Sequence, residues 1–177
     1  MTIVSPFERA VTELFQQRFG TLFRYLDRLT GDPDLAADVA QEAFVRLYQR
    51  GDIPDDPQAW LATVATNLVR DTHRRGSRRA DLLVRHADVT RPDPWPTDAS
   101  EHLLAEEART SVRRALETLP ERDRQLLLLR HEGFSYKELA QFCGIAESSV
   151  GTLLLRATQA FRAAYTQLTN VSHNSSD

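Results

Sequence analysis

Apolar residues recur at intervals of three and four along nearly the whole chain, and no stretch alternates apolar with polar positions. That pattern predicts an all-helical fold. A first helix is expected from about 6 to 29, with Phe7, Val11, Leu14, Phe15, Phe19, Leu22 and Leu26 on its apolar face. Gly31-Asp32-Pro33 breaks it, and Asp32 can cap a second helix that carries Pro33 in its first turn and ends near Arg50. Residues 50–57, RGDIPDDP, hold too much glycine, proline and aspartate to continue as helix and form a loop. A third long helix follows from about 58 into an arginine-rich stretch.

Residues 88–100, DVTRPDPWPTDAS, contain three prolines and little apolar content apart from Trp95, which reads as a linker between domains. Helical patterns resume at about 101–119, 121–132, 135–143 and 147–168, with Pro120 at a helix start, where its missing N–H costs little. The expected organisation is therefore two small helical domains, 1–84 and 101–168, joined by a flexible linker over 85–100. The polar residues 169–177, TNVSHNSSD, are expected to be a disordered tail.

The segment 132–162, EGFSYKELAQFCGIAESSVGTLLLRATQAFR, has the layout helix, glycine turn, helix. Ser135 and Glu138 fit a capping box, and Gly144 permits the tight turn. On the second of these helices Val150, Leu154, Ala157, Phe161 and Ala164 share the inward stripe. Ser148, Ser149, Thr152, Leu155, Arg156, Gln159 and Arg162 fall outward. Hydroxyls and an amide on that face can hydrogen-bond to base edges or phosphates, and Leu155 can pack on a thymine methyl. Cations are sparse there, so Arg130, His131 and Lys137 on the preceding helices are candidates for added phosphate contacts. The pattern fits a DNA-reading helix-turn-helix and also an α-hairpin inside a helical bundle.

Charge changes this picture by its placement. The 177 residues carry a formal net charge of −3, which argues against a simple nucleic-acid coat protein. Yet Arg70, Arg74, Arg75, Arg78, Arg79, Arg85 and Arg91 face only Asp71, Asp81 and Asp88 within one stretch. A basic patch inside an acidic chain suits one surface for phosphate and another for protein. In the second helix Leu35, Val39, Ala43 and Leu47 point inward and leave Asp38, Gln41, Glu42, Val45 and Gln49 outside, either a docking face or a solvated one. In the third, WLATVATNLVRDTHRRGSRR, Leu61, Val64, Ala65 and Leu68 point inward, while Thr63, Asn67, Arg70, Asp71 and Arg74 share another side. Such a mixed face can hold a phosphate backbone and touch exposed bases, with Trp60 available for stacking or for the core.

Other chemistry finds little support. No apolar run is long enough to span a bilayer, and residues 1–6 lack the basic start and apolar middle of a signal peptide, so a cytoplasmic protein is expected. The single cysteine, Cys143, excludes an internal disulfide and sits at an apolar helix position as a small buried side chain. His73, His86, His102, His131 and His173 are scattered without ligand spacing, and phosphate loops and nucleophile motifs are absent. No catalytic residue, metal site or cofactor is expected.

Three segments in order resemble the extracytoplasmic-function sigma factors of bacterial RNA polymerase. FRYLDRLTGDPDLAADVAQEAFVRLYQR resembles the start of sigma region 2, and WLATVATNLVRDTHRR resembles the family's promoter-melting helix. ALETLPERDRQLLLLRHEGFSYKELAQFCGIAESSV resembles sigma region 4. The resemblance implies an initiation factor that binds core RNA polymerase through Asp38, Gln41, Glu42 and Val45. It implies that Asn67, Arg70, Asp71, Arg74 and Arg75 face the promoter's −10 element, with the 50–57 loop capturing a flipped-out base. Lys137, Ser148, Ser149, Thr152 and Arg156 would then read the −35 element, and an anti-sigma protein is an expected regulatory partner. Family members often carry lysine or arginine where this chain has Gly151, Leu153 and Thr158, and a capping serine or threonine at Ala146. Two alternatives are a sigma-like mimic that sequesters an anti-sigma protein and a stand-alone helix-turn-helix regulator.

Overall fold

Local chemistry cuts the chain into its helices. The computed structural model describes residues 5–80 and 99–174, with side chains described over 5–75 and 108–170. Ser5 Oγ accepts from the Glu8 amide at 3.1 Å while Glu8 Oε2 accepts from the Ser5 amide at 2.7 Å, starting α1 (Pro6–Thr30). Gly31 ends it at φ +70°, a left-handed conformation that a Cβ would strain. Asp32 Oδ1 then accepts from the amides of Asp34 and Leu35, both at 3.0 Å, and opens α2 (Pro33–Arg50). Asp56 caps α3 (Pro57–Ala80) by accepting from the Ala59 amide at 3.1 Å. The second half holds α4 (Ala99–Glu117), α5 (Glu121–His131), α6 (Tyr136–Cys143) and α7 (Glu147–Asn174). The described residues contain helices and connecting turns, as the 3.6-residue periodicity predicted.

α7 corrects one expectation. Residues 169–174 belong to a helix that continues to Asn174, although a disordered tail was expected from 169. Thr169 Oγ1 turns back to the Tyr165 carbonyl at 3.1 Å, and the Phe161 and Tyr165 rings stack with centroids 5.9 Å apart. A polar composition does not oppose a helix once the hydroxyls bond to their own turn and the apolar stripe continues. α4 likewise begins at Ala99, inside the expected linker; the rest of that linker, with Arg85, Arg91 and Trp95, lies outside the described residues, as do the side chains of Arg78 and Arg79.

In the first half α1 and α2 pack together and both lie on α3. Leu22, Tyr25, Leu26, Val39, Ala43, Phe44, Leu47, Leu61, Ala65 and Val69 form its centre. Phe15, assigned to the apolar face, stays half-exposed at the rim with its ring edge-on to Phe44 at 5.0 Å. In the second half α7 packs along α4, α5 and α6 through Val150, Leu154 and Ala157. The two cores are continuous. α1 meets α5 and α3 meets α6, so one apolar cluster runs from Leu22 through Leu126 and Phe134 to Leu154.

Tyr25 is absent from the expected apolar stripe, yet it is fully buried, and its hydroxyl pairs with Thr66 Oγ1 at 2.9 Å. Burial holds the phenol well above its ordinary pKa, so it stays neutral. Removing one member of such a pair strands the other without water, which costs about 1–3 kcal/mol. Thr66→Val is therefore expected to lower the unfolding free energy by that amount in urea titration. The double variant Thr66→Val/Tyr25→Phe, with no stranded hydroxyl, is expected to be more stable than the sum of the two single losses.

Candidate nucleic-acid interface

Three polar faces stand out on three helices. On α2, Asp38, Gln41, Glu42 and Val45 are all exposed, spaced so that they share one side. Val45 is 46% exposed, and Tyr48, three residues on, is 52% exposed. Glu42 holds Arg46 at 3.0 Å along the same helix. Tyr48 was missed in the sequence because its position continues the outer, not the inner, stripe. Its ring lies 5.9 Å from that of Phe7, and its hydroxyl donates to Glu8 at 3.4 Å. An apolar pair within an acidic surface is what a protein partner would cover.

On α3, Asn67, Arg70, Asp71 and Arg74 are exposed, as the pattern predicted, and so is Arg75. Arg74 reaches Asp71 at 3.9 Å. The approach to this face is bounded by the second half. Thr63, Thr66, Asn67 and Arg70 line one wall of a crevice of about 240 Å³, opposite Arg122, Gln125, Phe142 and Cys143. Arg70 Nε donates to Glu121 Oε1 at 2.7 Å, and the buried Gln125 donates to the same oxygen at 2.8 Å. Trp60 is half-buried against the core, with the Arg50 guanidinium 5.8 Å from its ring centroid. Arg50 is in turn paired with Asp52 at 2.9 Å, which ties the start of the 51–56 loop to α3. Within that loop Asp52, Ile53 and Asp55 are exposed, while Asp56 is buried as the helix cap.

The third face is the helix-turn-helix. The capping box is formed, with Glu138 N on Ser135 Oγ at 3.2 Å and Ser135 N on Glu138 Oε2 at 2.6 Å. Gly144 makes the turn at φ +64°. Ser148, Ser149, Thr152, Leu155, Arg156, Gln159 and Arg162 are exposed on α7, and Leu155 reaches 59% exposure. Lys137 is exposed on α6. Arg130, a candidate for an added phosphate contact, is exposed. It donates to the Phe134 carbonyl at 3.0 Å and lies over the Tyr136 ring at 5.4 Å, bracing the turn before α6. Cys143 is half-buried at the crevice rather than fully enclosed; burial pushes its thiol pKa up, with the nearby Arg122 acting against that.

Among the described residues no group of His, Cys, Asp and Glu is arranged to hold a metal ion, and no helix is long and apolar enough to cross a membrane. An all-helical chain with a helix-turn-helix in one half and an arginine-lined helix in the other has the layout of a promoter-recognition factor. Residues 14–79 match the model of Sigma-70 region 2, and residues 109–160 match that of Sigma-70, region 4. The ECF RNA polymerase sigma factor SigL of Mycobacterium tuberculosis is 31% identical over 160 residues, covering 88% of this chain and 88% of that protein. The probable RNA polymerase sigma factor RfaY of Xanthomonas campestris is 33% identical over 144 residues, covering 76% of this chain; the chain spans 35% of its length. The sigma factor RpoE of Bartonella quintana, solved in complex with the anti-sigma factor NepR, shares the fold with a TM-score of 0.66 at 18% identity. That likeness covers 89% of this chain and 98% of the other. The chain belongs to the extracytoplasmic-function family of RNA polymerase sigma factors, which are transcription initiation factors.

The hydrogen bond from Arg70 holds the Glu121 carboxyl below the ordinary glutamate value of 4.5, with partial burial opposing it. A lowered folded-state pKa means that the contact contributes stability above the unfolded value and loses it as pH falls through the folded one. In a carboxyl-resolved NMR titration Glu121 is therefore expected to titrate below the ordinary glutamate value. Arg70→Ala is expected to bring it back up toward 4.5.

Proposed function

We propose that this sigma factor docks on core RNA polymerase through Asp38, Gln41, Glu42 and Val45 of α2. Asn67, Arg70, Asp71, Arg74 and Arg75 of α3 then face the −10 element, and the 51–56 loop takes the flipped-out base. Lys137, Ser148, Ser149, Thr152 and Arg156 read the −35 element. The observation that carries this reading is the pairing of exposed Val45 and Tyr48 on an acidic α2 face with polar faces on α3 and α7 of the same chain. A stand-alone DNA regulator has no use for the first of these. A sigma-like mimic has no use for the arginines of α3.

The sparse charge of α7 fits this division of labour. A polymerase-bound factor receives most of its affinity from the enzyme, so its reading helix needs only to position and discriminate. Arg156 supplies a phosphate contact and the hydroxyls supply hydrogen bonds, while Gly151, Leu153 and Thr158 add no charge. An anti-sigma protein is the partner expected to control access to these faces, as NepR accompanies RpoE in the related structure.

Run-off transcription with purified core polymerase on a promoter-fragment library tests the whole reading. Transcripts that depend on this protein and on fragment sequence are expected; core binding without transcripts on any fragment would favour the mimic. Val45→Glu places an unpaired charge in the docking face and is expected to weaken core binding by about tenfold or more. Arg74→Ala is expected to lower open-complex formation more than core affinity, and to reduce the salt slope of promoter binding by about one. Equal loss of both would remove Arg74 from the melting face.

A further inference from the structure

A pocket of about 480 Å³ lies between the last turn of α1, the helix α4 and the first turn of α5, and it shares no residue with the α2, α3 and α7 faces. That volume is within the range of small-molecule sites. Four arginines, Arg28, Arg109, Arg113 and Arg124, line it against two acids, Asp27 and Glu117. Its local charge is positive in a chain whose formal net charge is −3. Leu29, Val112 and Leu116 supply an apolar wall, and none of the described lining residues is aromatic.

The arginines are not equivalent. Arg28 is already held by Glu132, whose side chain is 4% exposed. Arg113, exposed on α4, and Arg124, half-buried on α5, make no ion pair among the described residues. Arg124 Nε is enclosed without a hydrogen-bond acceptor, and Glu121, three residues before it, is already bound by Arg70 and Gln125. A guanidinium drawn partly out of water is ordinarily matched by a carboxylate, a carbonyl or a bound anion. Neither of the first two is in place here among the described residues. Arg113 lies against the end of α1, where a Cβ on Gly31 would stand 3.5 Å from its Nη1. The carbonyl end of a helix favours a cation, which keeps this second guanidinium at the pocket.

We propose that this pocket binds a small amphipathic anion, a carboxylate or phosphate carried on an aliphatic body, through Arg113 and Arg124. Guanidiniums offer forked donors that match either anion. Leu29, Val112 and Leu116 cover the aliphatic part, and a wall without aromatic rings has nothing on which a nucleobase would stack. The site goes beyond promoter recognition and does not depend on how the polymerase and DNA faces are assigned.

Isothermal titration calorimetry of the full chain with sodium decanoate and with decyl phosphate, each below its micelle-forming concentration, tests the site. Saturable binding with a Kd between about 10 µM and 1 mM is expected for one or both. Decanol, decyltrimethylammonium and inorganic phosphate each lack one half of the required chemistry and are expected to bind about tenfold more weakly or worse. A preference for decanoate points to a free acid as the occupant and a preference for decyl phosphate to a phosphate ester; both support the site. Arg113→Gln and Arg124→Gln are each expected to weaken binding about fivefold or more, and Glu117→Gln, which removes an opposing acid, to tighten it. Arg9→Gln, at an exposed position of α1 outside the pocket, is expected to leave it unchanged.

Thermal unfolding of the ligand-free variants separates a binding role from a structural one. Because Arg124 Nε lacks an acceptor, Arg124→Gln is expected to leave the midpoint unchanged or raise it. A lowered midpoint assigns Arg124 to the fold and overturns its role as a ligand donor. Val112→Asp, at a position 38% exposed, sets a like charge against the anion and is expected to abolish binding with the midpoint unchanged. Equal affinity for decanol overturns the anion site and leaves an apolar crevice, and so does unchanged affinity in the Arg113→Gln/Arg124→Gln double variant. Equal affinity for inorganic phosphate overturns the aliphatic part, and failure of both decanoate and decyl phosphate to bind overturns the whole proposal.

Discussion

A hydroxyl pair sealed from water sets the geometry of the first half. Tyr25 has no exposed surface and Thr66 almost none, so the hydrogen bond between them cannot be exchanged for one to solvent. It joins α1 to α3 at one rotational setting. Asn67 and Arg70 stand one and four residues beyond Thr66 on the same helix, so the direction in which they emerge follows from that setting. Thr66 lines the crevice between α3 and the second half, which places the pair at the junction of the two halves. The polar site and the core are therefore one construction.

Charge in this protein is arranged in small, separated amounts rather than in one strong field. Two glutamates fasten the halves, a few arginines line α3, and α7 presents mainly hydroxyls. Weak contacts of this kind become selective when several are made at once by tethered parts of a single chain, because each raises the effective concentration of the next. A strongly basic α7 would hold duplex DNA on its own and loosen the dependence on the other faces.

Helix positions were legible in the sequence because punctuation is local. Ser5 with Glu8, Asp32 before Pro33, and Ser135 with Glu138 each carry their partner within three residues. The outward faces of α2, α3 and α7 were legible for the same reason, since a helical wheel needs no knowledge of the neighbours. The junction was not. Arg70 finds Glu121 at a separation of 51 residues and Arg24 finds Glu132 at 108, and nothing in either pair marks it apart from any solvated ion. Tyr25 was overlooked because Leu22 and Leu26 already satisfy the spacing on either side of it, although its position between them is itself inward. The last turns of α7 were hidden by composition, which reports polarity and not whether a hydroxyl can bond to its own helix.

The unbroken run of α7 has a mechanical meaning. At 28 residues it is a rod of about 42 Å whose first turns carry the outward hydroxyls and which packs against α4, α5 and α6. The rotational phase between reader and support is therefore fixed by the count of residues between them. A single residue inserted between Leu154 and Phe161 would turn one end against the other by about 100°, aiming the hydroxyls away from any surface the support still faces. The helix is thus a gauge, and its length is under the same constraint as its sequence.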